Sequence, residues 1–285
     1  MRTCPARAVL LSATAGIAGL IFSAGCAAPG DPPAPLLHAA ASATRAGEEA
    51  YLSGRASEAI PALSEAVRLH LAAGDLPGAA RALLNLALAQ RGAGDMPAAT
   101  ATAVRLRELT PAARQQLRER AGRADEISEI AAADDWLDAL LALDRGDLAA
   151  AENLISISGV KLPAASPWPG RVETLRAEVA LKEGHFDDAL ARARVGRVAS
   201  EAAHDRGEQA RAWRIAGAAQ VGLAHWPEAR ADFLAAISIE EKLGGGHRMA
   251  DDLNQLASIA EQLGEADDAR IYRERAKAIL SSRTH

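Results

Sequence analysis

The chain has 285 residues, 49% of them hydrophobic but only 3% aromatic, and a net charge of −5 with both signs interspersed. Much of the apolar content is alanine and leucine, which favour helices, and β-branched or aromatic runs are scarce, so an all-α chain is expected. The charge balance leaves no basic footprint for nucleic acid or for an anionic membrane surface.

The first 26 residues stand apart. Arg2 and Arg7 give a positive start, Ala8 to Ala24 is uncharged and mostly apolar, and Ser23-Ala24-Gly25-Cys26 closes the segment. That is the anatomy of a secretory signal. Small residues immediately before a cysteine resemble a bacterial lipobox, here with Ser23 where an aliphatic residue is usual. The resemblance implies a signal peptide over 1–25 and lipidation of Cys26. Two other readings stay open: cleavage after Ala27 or Ala28, releasing a soluble periplasmic protein, or retention of the run as an inner-membrane anchor. Cys4 and Cys26 are the chain's two cysteines, so a mature chain beginning at Cys26 could form no internal disulfide. Residues 26–35 read as the lipidated cysteine and a Pro-rich tether extended at ~3 Å per residue. Ala27 after the cysteine, rather than Asp, implies by the same resemblance sorting to the outer membrane, facing the periplasm.

From residue 36 onward one short turn recurs: Gly54-Arg-Ala-Ser-Glu-Ala59, Gly94-Asp-Met-Pro-Ala-Ala99, Gly146-Asp-Leu-Ala-Ala-Ala151, Gly184-His-Phe-Asp-Asp-Ala189, Ala224-His-Trp-Pro-Glu-Ala229 and Gly264-Glu-Ala-Asp-Asp-Ala269. The starts are 40, 52, 38, 40 and 40 residues apart. A helix-breaking turn at a period near 40 means a stack of helix pairs, each burying its apolar stripe against its neighbours.

Residues 208–243 show the unit most clearly. Glu208 to Leu223 carries Trp213, Ala216, Gly217, Gln220 and Val221 at helical spacing, His225-Trp226-Pro227 breaks it, and Ala229, Phe233, Ala236 and Ile237 form the stripe of a second helix. Trp213, Gly217, Ala229, Phe233 and Ala236 fall at offsets 0, 4, 16, 20 and 23, the signature spacing of a tetratricopeptide repeat. Gln220 replaces the usual tyrosine, and the terminal proline is missing. The resemblance covers roughly residues 36–281. It implies a right-handed α-solenoid of about six helix-turn-helix repeats of ~40 residues. Small residues are needed where paired helices approach to ~8–10 Å; laid on every turn, the same phase selects Gly47, Ala59, Ala99, Ala151, Ala189, Gly217, Ala229 and Ala269, with Phe233 filling the gap beside them.

Two stretches break the period. Thr110-Pro111 reads as a cap and first-turn proline, which predicts an inserted helix near 111–122. That stretch is basic (Arg114, Arg118, Arg120, Arg123) and the next acidic (Asp125, Glu126, Glu129, Asp134, Asp135); the two are either solvated faces that neutralise each other or a docking face. The second break, 159–170, holds three prolines within seven residues and is expected to be a loop, with Trp168 packed under the solenoid or facing a partner.

No chemistry is legible. The seven histidines lack metal spacing, and no GxSxG, Walker A or GxGxxG motif occurs. The expectation is a non-enzymatic scaffold without metal or cofactor. In tetratricopeptide proteins the first helix of each pair lines a concave groove. Transferred here, the groove positions are Arg81, Leu84, Leu88 and Arg91, then Trp136 and Leu140, then Arg171, Thr174 and Glu178. Arg211 and Arg214 follow, and then Asp251, Asn254 and Ser258. Arginines from several units around an aromatic would suit an extended peptide or a carboxylate-bearing segment. The whole resembles outer-membrane lipoproteins that assemble type IV pili, β-barrels or peptidoglycan-synthesis complexes. A soluble periplasmic adaptor, or a ligand-binding protein or enzyme using the groove, is the alternative.

Overall fold

A computed structural model describes residues 34–120, 122–157, 166–244 and 246–281; the signal segment, Cys26 and most of the tether lie outside them. Among the described residues the regular structure is entirely helical. The first half holds α1 (Ala34–Leu52), α2 (Ala56–Ala72), α3 (Leu76–Gly92), α4 (Met96–Arg118), α5 (Ala124–Asp144) and α6 (Leu148–Ile157). The second holds α7 (Trp168–Lys182), α8 (Phe186–Ala202), α9 (Arg206–Gly222), α10 (Trp226–Leu243), α11 (His247–Gln262) and α12 (Ala266–Ser281). Each odd-numbered helix packs on the even one after it, and α1 also touches α3, α3 touches α5, α5 touches α7 and α7 touches α9. The result is a helical-repeat stack of six pairs. The segment read as tether gives way to α1 at Ala34, two residues before its expected end.

The six turns of the sequence join the two helices within each pair, and they share one construction. At Gly94 the backbone enters the left-handed region (φ +83°). Its N–H then reaches the Arg91 carbonyl at 3.0 Å, while the Asp95 N–H reaches back to Gln90 at 2.9 Å. These crossed bonds satisfy two of the carbonyls that a helix end leaves open. Asp95 at once caps the next helix by accepting from the Ala98 N–H at 3.0 Å. Ala224 uses the same crossed bonds, to Val221 and Gln220, at φ +58°. The alanine five positions on is the fifth residue of the turn's cap-to-helix run, where its side chain faces the preceding helix. Ala59, Ala99, Ala151, Ala189, Ala229 and Ala269 are all at most 1% exposed. At Gly217 an added methyl would lie 2.9 Å from the Phe233 ring, and at Gly47 one would lie 2.4 Å from Leu63 Cγ, so both approaches require glycine.

The expected inserted helix does not exist as such. Residues 111–118 continue α4, with Pro111 inside it. The reason is the apolar stripe: Ala99, Ala103, Leu106, Thr110, Ala113 and Leu117 are buried at steps of four and three that run unbroken through the proline. Burying that stripe outweighs the ~3 kcal/mol that a mid-helix proline costs. The twelve extra residues therefore lengthen α4 and α5 rather than add an element. The expected loop at 159–170 is likewise shorter at its far end. Trp168-Pro169-Gly170 forms the first turn of α7, which tolerates proline, and Trp168 is packed at 5% exposure. Residues 158–165 lie outside the described residues.

Of the basic and acidic runs, Arg123 bonds Glu126 within one turn, and arginines outside the basic run supply the longer-range pairs. Arg107 bonds Asp138, and Arg81 of α3 reaches Glu126 at 2.6 Å. Burial pushes the Asp135 carboxyl up, and one oxygen of Asp134 is buried with no donor. Burial, with help from Asp138, pushes its carboxyl up to about 6.

Removing the left-handed strain of a Cβ at Ala224 should stabilise the fold, so Ala224→Gly should raise the melting temperature by a few degrees, on the order of 1 kcal/mol; an unchanged or lower Tm would refute the turn assignment. Asp134 carries a raised folded pKa, so its contribution is intact below pH ~4 and lost as pH rises through about 6. Asp134→Asn should therefore stabilise at pH 8, by ~1 kcal/mol after discounting for its partial solvation. The gain should vanish near pH 4, as followed by thermal melts across that range.

Candidate partner-binding cavity

The odd helices turn one side toward a cavity of about 500 Å3. Leu88 and Arg91 come from α3, Trp136 and Leu140 from α5, Arg171 and Glu178 from α7, Arg211 and Arg214 from α9, and Asp251 from α11. Leu181, Ile215 and Val221 add to its apolar wall. A smaller space of about 270 Å3 takes Arg81, Leu84 and Asn85 from α3, with Trp168 and Arg171 as its far wall. Trp136 and Trp168 meet edge to face, with centroids 5.9 Å apart. The Arg171 guanidinium stands 5.8 Å from one ring and 5.0 Å from the other, so this cluster separates the two spaces.

Three expected groove residues lie elsewhere. Thr174 is fully buried against α8, where its hydroxyl would be 2.5 Å from a methyl added at Gly196. Asn254 and Ser258 are exposed on α11 and line neither space, the Ser258 hydroxyl donating to the Asn254 carbonyl at 3.2 Å.

The arginines are not open forks. Arg91 donates through Nε and Nη2 to the two oxygens of Asp144, at 2.5 and 2.8 Å. Arg171 donates through Nε and Nη2 to one oxygen of Asp205, at 3.0 and 2.9 Å. Arg211 bridges Glu178 at 2.5 Å and Glu208 at 3.0 Å. Arg214 grips Asp252 through two bonds, at 2.6 and 2.9 Å, and Glu240 at 2.6 Å. Burial pushes the Glu208 and Asp252 carboxyls up despite these partners. At Glu178 burial acts the same way but Arg211 outweighs it, and the carboxyl stays below its usual range. Burial opposes the charge of Arg211 and Arg214 too, and the facing carboxylates more than restore it. The sequence shows each arginine but not its partner, because the partners lie 26–53 residues away, apart from Glu208.

Sequence reasoning also missed what closes the cavity. Tyr51 and Leu52, at the end of α1, line it beside Gly207 of α9 and Arg248 of α11. A methyl on Gly207 would touch Leu52 at 3.5 Å, and one on Gly244 would lie 3.3 Å from the Ser53 Cβ. The Arg248 guanidinium stands 5.8 Å over the Tyr51 ring. The first pair thus meets the fifth and sixth, and the concave side is partly enclosed at this level.

One further constellation has the order of a catalytic relay. His70 Nδ1 is 2.8 Å from Asp75 and its Nε2 is 3.5 Å from the Thr44 hydroxyl. That hydroxyl, however, donates to the Ala40 carbonyl at 2.9 Å, so its proton is committed to the helix and the histidine does not activate it. Asp75 meanwhile caps α3 through the Gly78 N–H at 3.3 Å. The cluster is structural. His185 and His225, at equivalent positions of their turns, pair separately with Glu183 (3.3 Å) and Gln220 (2.9 Å). Among the described residues no three His, Cys, Asp or Glu side chains are grouped to hold a metal ion, and no helix is long and apolar enough to cross a membrane.

Fold and cavity together define a helical-repeat protein. Among solved structures it is similar to BtubC (BKLC) from P. vanneervenii, at 18% identity and a TM-score of 0.54 over 88% of this chain and 92% of that one. It is also similar to the Rap protein complexed with Competence and Sporulation Factor, at 12% identity and a TM-score of 0.49 over 85% of this chain and 77% of that one. At 18% identity the likeness to BtubC is one of fold. No protein-family model and no curated protein sequence matches the chain.

The enclosure can be tested directly. Disulfides need Cβ atoms about 3.8 Å apart, close to the 3.3 Å between Ser53 Cβ and a methyl on Gly244. In a chain whose own cysteines are replaced by serine, Ser53→Cys with Gly244→Cys should cross-link on mild oxidation and shift on a non-reducing gel. A cysteine at Gly244 is strained by its positive φ of +103°, so the reduced variant is first checked for parent-like melting; two free thiols after oxidation of such a variant would mean that the ends do not meet.

Proposed function

We propose that this protein is a non-catalytic scaffold that holds a segment of a protein partner along its concave side. The observation that carries this reading is the convergence of side chains from α3, α5, α7, α9 and α11 on one cavity. An apolar wall with fixed polar groups is the usual make-up of a binding site, and a concave side built from successive repeats suits an extended segment. We further propose that the scaffold works at the cell envelope, as an outer-membrane lipoprotein anchored through Cys26 and facing the periplasm, where it supports assembly of an envelope complex. Support for this comes from Arg2 and Arg7, the uncharged run from Ala8 to Ala24, and the small residues before Cys26.

Both parts have a test. A photo-cross-linker at Leu88 should capture a discrete envelope protein, and Ala218→Trp, which fills the cavity, should abolish that product while leaving helicity intact. Capture that survives the filled cavity would remove the cavity from the reading. Cys26→Ser should abolish acyl labelling and release the protein from membranes; a mutant that stays bound, with no acylation of the parent chain, would overturn the lipoprotein assignment.

A further inference from the structure

Resting on the scaffold reading, we propose that the cavity takes an uncharged, apolar side chain of the partner segment, and that Tyr51 and Gln255 bond that segment's backbone amides. The sequence alone points elsewhere, toward arginines awaiting an acidic ligand. Geometry closes that route, and it closes the route for a cation as well.

Among the described residues, the guanidiniums of Arg91, Arg171, Arg211, Arg214 and Arg248 line the cavity, and five carboxylates line it with them. The wall therefore carries no net charge with which to recruit an ion of either sign. Its guanidiniums are also all engaged. Arg91, Arg171, Arg211 and Arg214 hold carboxylates at 2.5–3.0 Å, and Arg248 stands 3.4 Å from Glu240. An incoming carboxylate would have to displace a resident one, which is the unfavourable way to break a buried pair. An incoming lysine would lose its water and compete with an arginine already bonded to Glu178, Asp205, Glu208 or Asp252. Asp251 is not free for it either.

What the wall leaves open is apolar surface. Leu88 of α3, Leu181 of α7 and Val221 of α9 line the cavity and are only half-buried, and Leu52 of α1 is 40% exposed. A branched or flexible aliphatic side chain entering the space would cover them, with gain from the hydrophobic effect and no charge to desolvate. The volume, about 500 Å3, is that of a ligand pocket.

The neutral polar groups of the lining complete the match. The Tyr51 hydroxyl of α1 and the Gln255 carboxamide of α11 make no hydrogen bond to another described residue. Each offers both a donor and an acceptor, the two kinds of group that a peptide backbone presents. Tyr51 is steadied by the Arg248 guanidinium, 5.8 Å over its ring.

The probes are capped heptapeptides of alanine and serine with a central leucine, methionine, alanine, lysine or glutamate, measured by fluorescence anisotropy against the purified full chain. The leucine and methionine peptides should bind about tenfold or more tightly than the other three. Their affinity should change by less than about twofold between about 0.05 and 0.5 M sodium chloride, since no net charge draws them in. Gln255→Ala should weaken both by one common factor of about threefold or more, because it removes a bond to the backbone. Leu52→Gln should instead cut the preference for leucine over lysine about threefold. Equal affinities, a preference for lysine or glutamate, no binding by any probe, or affinity that falls as salt is raised would each overturn the inference. So would a preference untouched by Leu52→Gln, or affinities untouched by Gln255→Ala. N-acetyl-leucinamide binding as tightly as the leucine peptide would make this a small-molecule site and overturn it too. The scaffold reading stands or falls separately: capture at Leu88 that is lost on filling the cavity sustains it even if no apolar preference is found.

Discussion

The structure depends on how closely two helices of a pair can lie. At Ala59, Ala99, Ala151, Ala189, Ala229 and Ala269 the second helix presents a methyl where a larger side chain would hold it off, and at Gly47 and Gly217 the first helix gives up even that. The pair joining α7 and α8 goes furthest: a methyl on Gly196 would come within 3.0 Å of the Thr174 backbone nitrogen. Such approaches are set by side-chain bulk at the contact point. Once fixed, they leave the large residues, such as Leu63 and Phe233, to fill the space beside the contact, and they bring one face of every odd helix to the same side of the stack.

That common face explains the second feature of the molecule, its bound arginines. Arg91 of α3 ties to Asp144 of α5, Arg211 of α9 to Glu178 of α7, and Arg214 of α9 to Asp252 of α11. Each of these pairs spans from one repeat to the next. They are half-buried, so each removed partner would leave a charge with reduced access to water. The arginines therefore set the spacing of neighbouring repeats at the same time as they line the cavity. A residue that does both is a fixed wall, not a flexible hook, and the cavity's electrostatics follow from the carboxylates as much as from the guanidiniums.

The turn and the small contact residues were legible because both are local. A glycine in the left-handed region followed by a cap, then an alanine five positions later, can be read without knowing what packs on it. The same locality misleads at Thr110-Pro111, where a cap-like pair has the look of a helix start. The stripe from Ala99 to Leu117 was visible in the sequence and shows one helix running through; a long-period signal outweighed a two-residue one. Thr174 was misplaced for a related reason. It occupies a groove position by transfer, but the unusually tight α7–α8 contact buries it. The carboxylate partners and the meeting of Tyr51, Leu52 and Ser53 with Gly207, Gly244 and Arg248 were not legible, because they depend on the rotation accumulated over several repeats.

This accumulated rotation decides what kind of site the cavity can be. An open groove would admit a partner from the side along its whole length, with water screening every charge. Here the end of α1 stands against α9 and α11, so the arginines and their carboxylates lie in a partly enclosed space where pairing matters more. In that setting the internal pairs come first, and a guanidinium already held by a carboxylate is not an open hook. Arginine content alone describes the sequence. The carboxylates brought in from neighbouring repeats turn those arginines into fixed wall, which no count of arginines in the sequence could show.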